Sequence, residues 1–125
     1  MSAIARKNLI AVVDDDELVR GALQRLLKAS SLGAVSFGSA EDLLKSGQLP
    51  DIACLIVDIR MPGMSGLQLQ AKLKAERCRI PIIFITAHGD AKMLTQAMRD
   101  GAVKFLAKPF DNTVLLEAVH AALEN

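Results

Sequence analysis

The chain has 125 residues, of which 51% are hydrophobic and 23% are charged. This length fits one domain with its own core, and this composition excludes a disordered chain. Fifteen Lys and Arg residues against fourteen Asp and Glu residues leave a net charge of +1, so no strong field favours DNA or a membrane surface. Because Trp and Tyr are absent and only four Phe occur, we expect no aromatic platform for nucleic-acid bases.

The two cysteines, Cys54 and Cys78, do not make a disulfide framework. Cys54 lies in an apolar run, which predicts a small core residue. Two Cys and two His at scattered spacings do not fit a zinc site. No window approaches the roughly 18 to 20 apolar residues of a membrane span, and the run Leu9–Val13 is too short for a signal peptide. We therefore expect a soluble cytoplasmic protein with no membrane partner.

Three short apolar runs, each ended by a polar residue, predict buried parallel strands because they do not alternate with polar residues. The runs are Leu9–Val13, Ala53–Val57 and Ile82–Ile85. Weaker patterns predict two further strands over Val35–Phe37 and Lys104–Ala107.

A helix is predicted after each strand, from apolar residues at spacings of three and four, as in Leu18–Leu27 after Asp16. The signals for the ends of the later helices are the caps Ser39, Ser65 and Asp111 and the stops Gly47 and Gly101. Five strands alternating with five helices predict a doubly wound α/β fold, in which helices cover both faces of a parallel sheet.

Polar or charged residues directly follow four of the five predicted strands. They are Asp14, Asp15, Asp16, Asp58, Thr86 and Lys108. Each alone also fits a helix cap, a turn residue or a solvated loop residue. Because the carboxyl ends of parallel strands meet at one edge of the sheet, the sequence predicts that carboxylates, a hydroxyl and an ammonium gather there.

This set of groups fits phosphoryl transfer. Clustered carboxylates repel one another and need a cation, and oxygen ligands suit Mg²⁺. A carboxylate beside Mg²⁺ and Lys can attack phosphorus, while a hydroxyl and an ammonium stabilise the phosphoryl oxygens. No GxxxxGK[ST] or GxGxxG loop is present, so we do not expect the donor to be a bound nucleotide.

From Leu9 to about Leu123 the sequence resembles a response-regulator receiver domain of bacterial two-component signalling. The matching segments are Val12–Asp15, Leu55–Gly66, Ile82–Ala87 and Gly101–Phe110. Thr86–Asp90 and Ala107–Asp111 are similar to regulators of the nitrogen-fixation type, which usually carry a helix-turn-helix output domain after the receiver. The resemblance implies a single receiver domain over residues 1–125 and a flavodoxin-like strand order 2-1-3-4-5.

The resemblance also implies an acceptor and a metal site. Asp58 would take the phosphoryl group from the phosphohistidine of a sensor histidine kinase or phosphotransfer protein. Asp15, Asp58 and the backbone carbonyl of Arg60 would ligate Mg²⁺, and Asp14 would act in part through metal-bound water.

A switch is implied in the same way. Thr86 would hydrogen-bond the phosphoryl group, Lys108 would pair with another of its oxygens, and the bond before Pro109 would be cis. Phe105 would swing inward with Thr86, and a half-buried strand aromatic without a switching role is the alternative. The face built from the fourth helix, fifth strand and fifth helix (roughly Ala91–Leu123) would then bind a second copy or an output partner. The resemblance thus implies a switch that regulates transcription. It implies no enzyme activity beyond the domain's own phosphorylation and dephosphorylation.

Two further residues would tune the chemistry. Arg60 and His88 lie two residues after Asp58 and Thr86, where they would steer the loss of the phosphoryl group to water. A loop histidine that is only solvated is the alternative for His88.

Two other functions stay open at this point. Asp14-Asp15-Asp16 also resembles haloacid-dehalogenase-type phosphatases, with Asp14 as nucleophile and Asp16 as acid, although the expected Thr or Val after the motif is missing. The chain would alternatively be a receiver-like interaction module that no longer takes phosphate. It would be either a complete regulator or the receiver of a longer one, and without a helix-turn-helix this domain is not expected to bind DNA.

Overall fold

The computed structural model describes residues 9–87 and 91–124, in which strands and helices alternate as predicted. The elements are β1 (Leu9–Val13), α1 (Glu17–Ala29), β2 (Gly33–Phe37), α2 (Ala40–Lys45), β3 (Ile52–Asp58), α3 (Gly66–Ala75), β4 (Ile82–Thr86), α4 (Ala91–Arg99), β5 (Lys104–Ala107) and α5 (Asn112–Glu124). A 3-10 turn over Leu49–Asp51, which the sequence analysis did not predict, leads into β3.

The five strands form one parallel sheet with the order β2-β1-β3-β4-β5, which confirms the predicted fold class and strand order. Val13 at the end of β1 pairs with Val57 near the end of β3, and Val57 pairs with Phe84 of β4. Since β1 and β3 are neighbours at the centre of the sheet, the residues that follow them lie side by side.

Alternate strand residues pack against helices on opposite faces of the sheet. On one face the strands pack against helix residues Ala40, Leu43, Leu69, Leu73 and Ala97 of α2, α3 and α4. On the other face they pack against Leu23, Leu27, Leu115, Ala118, Val119 and Ala122 of α1 and α5. Cys54 is fully buried in the second layer, as predicted. The two layers fix the central strands rigidly beneath the site.

Side-chain caps set where the helices begin. Asp16 Oδ1 accepts the Leu18 N–H at 2.9 Å, and Ser39 Oγ accepts the Asp42 N–H at 3.0 Å. Ser65 forms a complete capping box at the start of α3. These caps satisfy amide groups that helix geometry leaves without partners. In the part of the chain that the structure describes, we find no helix with the length and apolar character needed to cross a membrane.

Candidate functional site

Two aspartates occupy the centre of one edge of the sheet. Asp14 follows β1 and Asp58 ends β3, and their side chains are almost wholly shielded from solvent. Buried carboxylates are rare unless they are paired, because ionisation is costly away from water. Their position next to each other therefore requires a compensating cation.

Lys108 supplies that positive charge. Its Nζ donates to Asp14 Oδ2 at 2.9 Å and to Asp58 Oδ2 at 3.2 Å. Lys108 follows β5 at the far side of the sheet, and its backbone N–H donates to the Thr86 carbonyl at 2.8 Å. The Lys108–Pro109 peptide bond is cis. The structure thus brings together strand ends that are 50 and 94 residues apart in sequence.

Burial and the charges of neighbouring groups shift the pKa values of Asp58 and Lys108. Burial raises the pKa of Asp58 above its ordinary value, and the charge of Asp14 raises it further, against the opposing influence of Lys108. Burial alone would lower the pKa of Lys108, but its hydrogen bond to Asp14 and the charges of both carboxylates hold that pKa above the ordinary value. Lys108 is therefore a cation at neutral pH, whereas the Asp58 carboxylate is destabilised until more positive charge arrives.

A third carboxylate completes a set that fits Mg²⁺. Asp15 is exposed, and one carboxylate oxygen from each of Asp14, Asp15 and Asp58 lies within 4.8 Å of the others. Around an octahedral Mg²⁺, neighbouring oxygens are about 2.9 Å apart and opposite oxygens about 4.1 Å apart. Three carboxylates and one ammonium also leave two negative charges. The donor chemistry, the spacing and the charge all fit one divalent cation with room for water.

Backbone groups of the adjoining loops hold the carboxylates in place. The Arg60 N–H donates to Asp58 Oδ1 at 3.2 Å, and the Asp16 N–H donates to Asp14 Oδ1 at 2.9 Å. Arg20, one turn into α1, donates from Nη1 to the Asp14 carbonyl at 2.7 Å. The sequence analysis missed Arg20, because neither its helical spacing nor its neighbours indicates a contact with the loop after β1.

The two residues predicted to act as a switch lie on neighbouring strands. Thr86 is buried at the end of β4, and Phe105 is half-buried on β5, where it packs against the layer of α2, α3 and α4. Thr86 pairs with Ala107, two residues after Phe105, so both side chains lie near the same strand ends. His88 lies outside the described residues.

Comparisons with known proteins find relatives over almost the whole chain. The model of the response regulator receiver domain family matches residues 10–120. Nodulation protein W of Bradyrhizobium diazoefficiens is 48% identical over 119 residues, which cover 94% of this chain and 52% of that protein. The response regulator protein TodT of Pseudomonas putida is 44% identical over 119 residues, covering 95% of this chain and 52% of that protein.

A solved structure is similar throughout. The crystal structure of FixJ-N has a TM-score of 0.86 and 39% identity, and the match covers 97% of each chain. The chain spans about half the length of the curated relatives it matches.

Proposed function

Because the chain belongs to the family of response regulator receiver domains, we propose that Asp58 takes a phosphoryl group from the phosphohistidine of a sensor histidine kinase or phosphotransfer protein. The observation that carries this assignment is the Lys108 ammonium, which contacts the carboxylates of both Asp58 and Asp14 beside Asp15. Asp58 and Asp14 both contact Lys108 and the loop after their own strand, but Asp58 is 7% exposed whereas Asp14 is fully buried, so a donor would reach Asp58.

The transfer forms one bond to phosphorus and breaks another. A carboxylate oxygen of Asp58 attacks phosphorus, the bond from phosphorus to the donor imidazole nitrogen breaks, and the imidazole leaves with that electron pair. Lys108 and the Thr86 hydroxyl each contact a phosphoryl oxygen and so stabilise the charge that builds up there.

Asp15, Asp58 and the Arg60 backbone carbonyl would hold Mg²⁺, with Asp14 supporting it in part through water. The ion supplies positive charge that neutralises the phosphoryl oxygens and the acidic cluster. Arg60, whose side chain is exposed beside Asp58, would tune the access of water to the phosphoryl group, as would His88.

Phosphorylation would act on the rest of the domain through Thr86. The new charge draws the Thr86 hydroxyl toward Asp58, and the half-buried Phe105 then packs inward. This movement changes the face formed by α4, β5 and α5, which would bind a second copy or an output partner and so regulate transcription. Residues 1–125 would form one receiver domain in the bacterial cytoplasm, with activity confined to its own phosphorylation and dephosphorylation.

The proposal is tested with acetyl phosphate and Mg²⁺, followed by intact mass and by gel filtration. Wild type and Asp16→Asn should each gain one phosphoryl group, because Asn caps α1 as well as Asp and residue 16 lies outside the cluster. Asp58→Asn should gain none, and a chelator should stop the reaction. Lys108→Ala should be weakly phosphorylated, and its gel-filtration volume should stay that of the unphosphorylated protein.

Two outcomes would reject the assignment of Asp58. A phosphoryl group on both wild type and Asp58→Asn, lost in Asp14→Asn, would indicate the phosphatase-type alternative with Asp14 as nucleophile. No phosphoryl group on wild type, with acetyl phosphate or a phosphohistidine donor, would indicate the interaction module that does not take phosphate.

A further inference from the structure

The loop over residues 59–65 joins β3 to α3 and carries the Arg60 carbonyl. Its two ends are fixed by backbone hydrogen bonds. The Ile59 N–H donates to the Ile85 carbonyl of β4 at 3.1 Å, and the Gly66 N–H donates back to the Ile59 carbonyl at 2.8 Å. These bonds, with the one from the Arg60 N–H to Asp58 Oδ1 at 3.2 Å, fix the peptide groups on both sides of Ile59. They do not set the next peptide group, which carries the Arg60 carbonyl, or the tip of the loop at Gly63 and Met64.

A side chain from another helix holds the tip. The Met64 N–H donates to Glu41 Oε2 at 2.9 Å, and Glu41 lies in the first turn of α2, 23 residues earlier. Gly63 has φ +74°, and a Cβ there would lie 2.6 Å from Glu41 Oε2. The carboxylate therefore occupies the space that any side chain at residue 63 would need.

The charge state of Glu41 suits this contact. The hydrogen bond from Met64 lowers the pKa of the Glu41 carboxyl, and the backbone N–H of Glu41 itself lowers it further. An acidic residue in the first turn also stabilises α2 through the helix dipole. Asp42 makes the same interaction with the helix dipole in the same turn but, among the described residues, has no contact with the loop that resembles the one from Glu41. The helix dipole therefore does not explain why the Glu41 carboxylate reaches the Met64 N–H.

We propose that Glu41 is a positioning residue, which fixes the tip of the 59–65 loop and thereby holds the Arg60 carbonyl ready for Mg²⁺. The inference rests on the proposed function, because it gives Glu41 a role only if Arg60 ligates the metal. Without Glu41 the loop would keep its base but sample other positions at its tip. The metal site would then bind Mg²⁺ more weakly, while Asp58 itself would stay in place.

The first measurement uses the protein without metal. Hydrogen exchange of the Met64 amide, followed by NMR, should be about tenfold faster in Glu41→Ala, because a hydrogen bond to a charged acceptor is lost. Glu41→Gln keeps an acceptor oxygen at the same reach and should remain within about threefold of wild type. Asp42→Ala is the matched control in the same helical turn and should leave this amide unchanged.

The second measurement titrates Mg²⁺ by NMR and follows phosphorylation by acetyl phosphate at each Mg²⁺ concentration. Glu41→Ala should bind Mg²⁺ about tenfold more weakly, the lower end of the loss seen when a group that orients a metal ligand is removed. Its phosphorylation rate should return to the wild-type value at saturating Mg²⁺. A purely structural defect would instead lower the rate at all Mg²⁺ concentrations.

Three results would overturn the inference: wild-type exchange at Met64 in Glu41→Ala, wild-type Mg²⁺ affinity in that variant, or an equal loss of affinity in Asp42→Ala. They are distinct from a failure of the proposed function, which is judged on Asp58→Asn. If wild type took no phosphoryl group, the exchange and affinity measurements would still decide the role of Glu41.

Discussion

Replacement of Gly66 with Ala should damage both the fold and the acceptor site. Gly66 is the buried first residue of α3, which lies against the end of β3. A Cβ at residue 66 would lie 2.6 Å from the Asp58 carbonyl oxygen, 2.9 Å from Ile59 Cα and 3.0 Å from Phe84 Cε1. Carbon atoms in good contact stand about 3.5–4.0 Å apart. Two of the three neighbours are backbone atoms that cannot rotate away, so α3 must move off the sheet.

The size of the effect follows from these contacts. Overpacking a well-packed site costs about 1–3 kcal/mol, and clashes with backbone put Gly66→Ala at the upper end, near 3 kcal/mol. With an unfolding entropy of about 2.1 cal/mol/K per residue over 125 residues, the Tm should fall by about 11 °C. Because the Asp58 backbone is displaced, phosphorylation by acetyl phosphate should also slow by at least about tenfold.

Urea unfolding followed by far-UV circular dichroism is the suitable assay, since the chain has no Trp or Tyr. Gly21→Ala is the matched control, because a Cβ there meets only the flexible end of Arg25, at 3.3 Å. Within α1, Ala is favoured over Gly, so this variant should gain about 0.5–1 kcal/mol. The reasoning is refuted if Gly66→Ala unfolds within about 0.5 kcal/mol of wild type, or if Gly21→Ala loses as much as Gly66→Ala.

Three further predictions concern the charge of Asp58, the two thiols and the exposed surface beside the site. Without metal, Asp58→Asn should be about 1 kcal/mol more stable than wild type at neutral pH, because burial and Asp14 raise the pKa of Asp58. This difference should shrink as the pH falls through that raised pKa, and calorimetry in which the difference stays constant would contradict the prediction. Burial raises the pKa of Cys54 from 9.0 to about 12, so its thiolate is about a thousandfold scarcer than that of an unperturbed cysteine. Iodoacetamide should therefore label the half-buried Cys78 first, and mass spectrometry of the native protein that finds Cys54 labelled at the same rate would contradict this prediction. Leu18 is 82% exposed beside the site, where it would contact a docked phosphohistidine protein. Leu18→Ser should slow transfer from that donor about tenfold and leave the acetyl phosphate reaction unchanged. Equal losses with both donors would disprove this docking role.

The strand ends were the most predictable part of the molecule. The apolar runs before Asp14, Asp58 and Lys108 predict parallel strands, and parallel strands bring their ends to one edge. That reasoning needs only local sequence and one rule of topology. It does not distinguish Asp14 from Asp15, which are adjacent acids in the sequence, whereas the structure buries the first and exposes the second.

Contacts between distant helices could not be predicted in this way. Gln70 lies in the amphipathic pattern of α3, yet it is buried and its Nε2 donates to the Ala97 carbonyl of α4 at 3.0 Å. Glu41 likewise reads as an ordinary first-turn acid of α2. The partner of Gln70 is 27 residues away and that of Glu41 is 23 residues away, and local periodicity does not predict which side chain will meet which backbone group.

The ion pair between Lys108 and Asp14 joins residues that are 94 positions apart. During synthesis Asp14 and Asp58 are both made long before Lys108, so the early chain contains two mutually repelling carboxylates without their cation. Contacts of such wide sequence separation form late, because the entropy of closing the loop must be overcome first. A nascent or truncated chain that lacks β5 therefore has no complete acceptor site. If Asp58 is the acceptor proposed above, an unfinished chain would respond at most weakly to a phosphoryl donor, as expected for Lys108→Ala, and would contribute little to the signal.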